Sequence, residues 1–163
     1  MADLRVKVCG IEFPNPVWTA AGPGGADGEL LLRAAKGGAG GLVTKTLSIT
    51  PARVPVPNLA SPHSGVLINA ELWSDLDYKR FLAEELPKAR QSGLPVVVSL
   101  GYSPEDLAVM GRAVSASGQA QALEFSIHYT GKDPASLLPQ ARALKFSSRL
   151  PVLAKLSPAV SDL

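Results

Sequence analysis

Residues 122–134 read ALEFSIHYTGKDP, an apolar run that gives out into Ser126, His128, Tyr129 and Thr130 within five positions. An imidazole that titrates near neutrality and a phenol that titrates near 10 can both move protons. The stretch is therefore either a reacting centre at the mouth of a fold or a strand running out into solvent. Two lysines raise a similar question. Lys45 in GLVTKT and Lys155 in PVLAKLSP sit at the ends of otherwise apolar runs. Charged side chains seldom occupy buried positions without a partner, so each either meets an anion or ligand or snorkels past the strand end to water.

The elements that must position these residues alternate along the chain. LRVKVCGIEFPNPVW predicts a short hairpin pinched at Cys9-Gly10, with Cys9 a small apolar residue in the strand or its turn. VWTAA, residues 17–21, predicts a strand ending in the glycine-rich GPGGADG, and GELLLRAAKGG has helical spacing. GLVTKT is the next strand, followed by a proline-rich loop that should be irregular but stiff, with His63 solvated. DYKRFLAEELPKARQSG is an amphipathic helix, and LPVVVSLG a fully apolar strand. SPEDLAVMGRAVSASG starts with Ser103 as N-cap and Pro104 at the first helical position, and stops at Gly118. QALEFSIHY is a strand, DPASLLPQARALKFSS a helix that Pro139 limits or divides, and LPVLAKLSP the last strand. Apolar strands separated by helices predict a parallel sheet covered by helices, either an open doubly wound sheet or part of a (β/α)8 barrel. A single domain over 1–163, with no internal boundary, is expected.

Composition narrows the function classes. With 46% hydrophobic and 18% charged residues, the 163-residue chain can build a core. A formal net charge of +2, with Lys and Arg scattered, gives no basic stripe for a phosphate backbone, so nucleic acid is not expected as a partner. One cysteine excludes an internal disulfide and an all-cysteine metal cluster, and no metal site is expected. No signal pattern and no bilayer-length apolar run is present, which points to a cytoplasmic protein without membrane contact.

Five ordered segments, NPVWTAAGPGG, GGLVTKT, GVLINAELWS, LEFSI and PVLAKLSPAVSDL, resemble the dihydroorotate dehydrogenase family. NAELWS makes the flavin barrel of dihydropyrimidine dehydrogenase the nearer likeness, and the similarity runs along essentially the whole chain. The resemblance implies a (β/α)8 barrel of the TIM type, here its N-terminal portion, about the first five β/α units after a hairpin. It implies FMN as cofactor, bound at the C-terminal ends of the strands, and a small pyrimidine-like substrate oxidised or reduced at a CH–CH bond. Ala20, Ala21 and Gly22 match the small segment whose backbone meets the flavin, where a side chain would occupy the ring plane. Lys45, Thr46 and Lys155 match flavin-binding positions, a cation being useful where negative charge develops on the reduced ring.

By the same resemblance Asn69, Glu71 and Ser126 contact substrate; an amide and a carboxylate can read the donor–acceptor edge of a cyclic ureide. The family's fourth strand ends Asn-x-Ser-Cys-Pro, and in that register Ser126 replaces the Asn and Tyr129 the catalytic Cys. A phenol is a weaker acid than a thiol, so Tyr129 would suit proton donation to a substrate carbanion, with His128 the competing candidate. The alternation reaches the fifth strand of an expected eight. A longer polypeptide, a homo-oligomer or a partner chain would then complete the barrel. The alternative is a non-catalytic half-barrel serving as a binding or assembly subunit.

Overall fold

The computed structural model describes residues 2–126 and 134–156. Valine- and leucine-rich runs form its sheet, with polar residues entering only toward their C-terminal ends. The strands are β3 (Leu42–Val43), β6 (Val96–Leu100), β7 (Ala122–Ser126) and β8 (Val152–Lys155), all parallel and ordered β3-β6-β7-β8. Each later strand adds to the same side of its predecessor. A doubly wound sheet reverses strand order at its switch point, whereas a barrel accumulates strands one way. The architecture is thus α/β of the (β/α)8-barrel type, about its first five β/α units after an N-terminal hairpin.

That hairpin pairs β1 (Val6–Val8) with β2 (Ile11–Phe13) through a turn at Cys9 and Gly10, whose φ values are 51° and 82°. Cys9 is exposed at this turn, so the expected apolar role is corrected: the tight reversal holds its side chain away from the core. The strand expected over 17–21 is reduced to a parallel bridge between Trp18 and Gly41. Prolines 14 and 16 remove amide donors there. The Thr19 hydroxyl substitutes for ladder bonds, donating to the Val43 carbonyl at 3.0 Å and accepting from the Val43 amide at 2.6 Å.

At the N-terminus of helix α1 (Gly28–Lys36) two carboxylates accept from backbone amides. Asp27 accepts from the Leu30 amide at 2.8 Å, and Glu85, 57 residues away, accepts from the Gly28 amide at 2.9 Å. Glycine is required at 28, since a Cβ there would lie 2.5 Å from the Glu85 carbonyl oxygen. The amphipathic run expected from DYKRFLAEELPKARQSG forms α2 (Tyr78–Arg80), a π-helical stretch (Phe81–Glu85) and α3 (Leu86–Arg90). Pro87 lies in the first turn of α3, and a proline without an amide hydrogen is compatible with the wider turn before it. Helix α4 (Pro104–Ser117) has the expected Ser103 cap, with Oγ accepting from Asp106, and ends at left-handed Gly118. Pro139 falls in the first turn of α5 (Leu138–Ser147), so it sets the start of that helix instead of dividing it.

The two-residue period of the strands divides the sheet. Leu42, Val96, Val98, Leu100, Leu123 and Phe125 pack against the helices, with Phe81, Leu86, Leu107, Met110 and Leu144 opposite them. Burying each such side chain is worth about 1.5–3 kcal/mol. The other face, the barrel interior, begins with Val43, Val97 and Ala122, packed with Trp18, Ala21 and Leu153. The proline-rich loop is not wholly irregular: β4 (Leu59–Ala60) and β5 (Ile68–Asn69) pair antiparallel as a solvent-exposed arm.

Candidate functional site at the strand ends

One same-face step beyond Val43, Val97 and Ala122, the barrel interior turns polar: Lys45 follows β3, Ser99 lies on β6 and Glu124 on β7. One step further Ser126 pairs in register with Lys155. The polar side chains thus gather at the C-terminal ends of the strands, and the apolar layer beneath forms the floor.

Lys45 is buried, with 6% of its side chain exposed, and forms an ion pair with Glu71, whose side chain is 9% exposed. Asn58 donates its amide to the other Glu71 oxygen. A lysine this deep would be strongly disfavoured without an anion, and Glu71 supplies it from the chain following β5. Asn69 orients that return, its Oδ1 accepting from the Glu71 amide at 2.7 Å, while the residue itself is exposed. Lys45, Asn58 and Glu71 line a cleft of about 490 Å³ with Arg53 and Asp75, walled by Pro23, Ala26 and the proline-rich loop. Gly25 lets this wall close: a Cβ there would sit 2.5 Å from the Val43 carbonyl and 2.8 Å from the Lys45 amide nitrogen. The Gly25 carbonyl in turn accepts from that amide at 2.8 Å.

Lys155 behaves differently. It is exposed, against the expectation of a lysine embedded in an apolar strand, because β8 is the edge strand of the described sheet and both Ala154 and Lys155 at its end are exposed. Its ammonium donates to the Ala21 carbonyl at 3.3 Å, joining residues 134 apart in sequence. Ala20, Ala21 and Gly22 thus lie beside Lys155; Ala20 is exposed, and a Cβ on Gly22 would meet only the Ala20 carbonyl oxygen, 4.0 Å away. A flat ring can approach such a segment closely.

Between the lysines runs a hydrogen-bonded chain. Thr46 Oγ1 lies 3.1 Å from Ser99 Oγ, and Ser99 Oγ donates to Glu124 Oε1 at 2.8 Å. Thr46, Ser99 and Ser126 are all buried. Burial raises the Glu124 carboxyl above its usual range; the Ser99 hydrogen bond and then the Lys155 charge act against that rise.

Of the residues singled out from sequence, the structure joins Lys45 with Glu71, Thr46 with the inner hydrogen-bonded chain, and Ala21 with Lys155. Ser126 lies at the Lys155 level, while the Asn69 side chain is spent on its own turn. His128 and Tyr129 lie outside the described residues. His63 is exposed in the arm, as expected. Sequence reasoning missed Asn58 and Glu124. Nothing local marks Asn58, whose partner comes through the folding back of the arm. Alternation could have found Glu124, since it shares a face with Ala122 and Ser126. Among the described residues no group of three or more His, Cys, Asp or Glu side chains is placed to hold a metal ion, and no helix is long and apolar enough to cross a membrane.

No protein-family model matches the chain. Among curated proteins it is 35% identical over 170 residues to the dihydroorotate dehydrogenase B (NAD(+)) catalytic subunit of Pyrococcus furiosus, covering 99% of this chain and 56% of that protein. The proteins of the same name from Endomicrobium trichonymphae and Thermococcus kodakarensis are 32% and 31% identical, over 99% and 100% of this chain and 55% and 56% of theirs. The chain spans about half the length of the curated relatives it matches. These likenesses support the comparison with dihydroorotate dehydrogenases, and not the nearer comparison with dihydropyrimidine dehydrogenase drawn from NAELWS.

Proposed function

We propose that the chain is the N-terminal part of the FMN-binding barrel of a dihydroorotate dehydrogenase-type oxidoreductase, acting on a CH–CH bond of a pyrimidine-like substrate. The observation that carries this reading is the meeting of Lys155 with Ala21 at the strand ends, where a cation and a side-chain-poor backbone segment share one mouth. Those two features fit a flavin: the ring edge needs close backbone approach, and a cation favours the charge of the reduced ring. In this reading Ala20, Ala21 and Gly22 line the ring, with Lys155, Lys45 and Thr46 on its polar edge. Bound FMN supplies a hydride acceptor and donor.

The chain's own residues orient substrate and manage protons. Ser126 stands at the level of Lys155, where a substrate above the ring would meet its hydroxyl. Glu71 and Asn58 border the adjacent cleft and present a carboxylate and an amide toward a ureide edge, with Asn69 fixing the turn that delivers Glu71. The buried floor of Val43, Val97 and Ala122 keeps water out from below. Tyr129, with His128 as its competitor, is proposed as the group that delivers or accepts the substrate proton. A further segment or partner chain completes the barrel, in keeping with relatives that are named as catalytic subunits and are nearly twice as long.

A visible spectrum of the purified protein mixed with FMN tests the reading. A shifted and quenched flavin band supports it; unchanged free-FMN spectra, with or without the completing segment, favour a non-catalytic half-barrel. Tyr129→Phe should then lower the rate of substrate reduction by about 10²–10⁴-fold, the usual worth of a positioned proton donor. Unchanged turnover would remove Tyr129 from the mechanism.

A further inference from the structure

We propose that Glu124 is a positioning residue for Lys155: anchored through Ser99 to Thr46, its carboxylate sets how much of the Lys155 positive charge the barrel mouth presents to an electron-rich ring. The proposal rests on the flavin reading for the identity of that ring, and on this chain's geometry for the rest.

Glu124 sits in mid-strand between Leu123 and Phe125, which are 0% and 3% exposed on the opposite face. An acid there is disfavoured unless something holds it. The Ser99 hydroxyl does so at 2.8 Å, and the 3.1 Å contact between Ser99 and Thr46 ties the pair to the strand that carries Lys45. Lys155 lies one register step above, since its strand partner Ser126 follows Glu124 on the same face by two residues, roughly 6.6 Å of strand. The Lys155 charge draws the Glu124 carboxyl down against its burial. Meanwhile the Lys155 hydrogen bond goes across the mouth to Ala21. Glu124 therefore acts on Lys155 through space, from beneath, and leaves the ammonium facing the mouth.

Among the described residues, Lys45 after β3 is committed to Glu71, β6 contributes the neutral Ser99, and segment 17–22 carries no titratable side chain. Within that set, Glu124 is the anion that tempers Lys155. A flavin over Lys155 would gain negative charge on reduction, so removing that anion should strengthen the preference for the reduced ring.

The test uses the full-length FMN-loaded protein, at a pH above the Glu124 midpoint that the carbon-13 titration described below gives, and measures relative affinity for reduced over oxidised FMN by redox titration against dyes. Glu124→Gln keeps the volume and the acceptor for Ser99, and should raise this ratio by about threefold to tenfold, the scale of one screened charge at this range. Lys155→Met should lower it. The double variant should match Lys155→Met alone, because Glu124 acts only through Lys155, and Glu124→Asp should return the ratio toward the parent value. An equal Glu124→Gln shift in the Lys155→Met background, or no shift in either, overturns the proposal. A second measurement needs no flavin: carbon-13 NMR titration of the Glu124 carboxyl in the same protein. Lys155→Met should move its midpoint to higher pH; an unmoved midpoint overturns the proposal. Absence of FMN binding would overturn the flavin reading separately, leaving this titration to decide the role of Glu124.

Discussion

The two strand-end lysines stand in opposite situations. Lys45 is sealed beneath the proline-rich loop, its charge met by Glu71 and that carboxylate further held by Asn58. Lys155 is exposed and touches a backbone carbonyl, and Glu124 lies below it on the neighbouring strand. The difference is one of spent against unspent charge. At Lys45 the charge is paired within the cleft wall, and the ion pair holds the returning chain to the end of β3. Around Lys155 the field reaches the mouth of the barrel, where a ligand can use it.

The largest effect that could break this contrast is in stability. Glu71→Ala should cost about 3–5 kcal/mol in urea unfolding, because removing one partner leaves a buried ammonium unpaired. Lys155→Met should fall within about 0.5 kcal/mol of the parent, because its one hydrogen bond, to the Ala21 carbonyl, is made at an exposed position. Equal losses would mean that the lysines share one structural role. Next comes Gly25→Ala, whose added methyl meets the backbone of β3 at 2.5 Å. It should cost about 1–3 kcal/mol by overpacking and, in a double-mutant cycle with Lys45→Met, couple to the Lys45 cluster.

Asn58→Ala should cost about 1–3 kcal/mol by leaving one Glu71 oxygen short of its donor. The smallest effect distinguishes the half-buried Glu124 from the buried Glu85 by pH. Glu124 is raised in the folded state, by burial first, so it binds a proton more tightly folded than unfolded. Its contribution is favourable below the unfolded value near 4.5 and is lost as pH rises through the folded one. Glu124→Gln should therefore be more stable than the parent at pH 7, with the difference closing below about pH 4. Glu85 has the opposite sign. The Gly28 amide, and then Lys88, lower its carboxyl. Its stabilisation is present above the unfolded value and is lost as pH falls through the folded one, so Glu85→Gln should narrow the acid-side loss of stability.

What was legible in the sequence follows the range of the forces involved. Ser103 and Gly118 could be read because a cap is local: a hydroxyl reaching three residues on, and a left-handed residue at the helix end. The buried strands could be read because β6 and β7 are apolar over most of their length. The strand expected at 17–21 could not be excluded, since the replacement of its ladder by the Thr19 hydroxyl depends on Val43, 24 residues away. The loop expected over 47–65 hid the pairing of β4 with β5, just beyond it, and the Asn58–Glu71 contact for the same reason. At the site, Lys45 and Lys155 stood out because their charge is discordant with their neighbours. Glu124 passed as one polar residue in a strand, although period two already places it with Ala122 on the inner face.

The contact between Glu85 and the first amide of α1 has a consequence for the order in which this chain can become native. Helix α1 is nine residues long, too short to persist alone in water. The carboxylate that completes its N-terminus arrives only when the π-helical stretch, 57 positions along the chain, has docked. The start of α1 should thus become protected from hydrogen exchange together with α3, not ahead of it. The Gly28 amide would then serve as a single-site clock for when the first and second helical layers of the barrel close on each other.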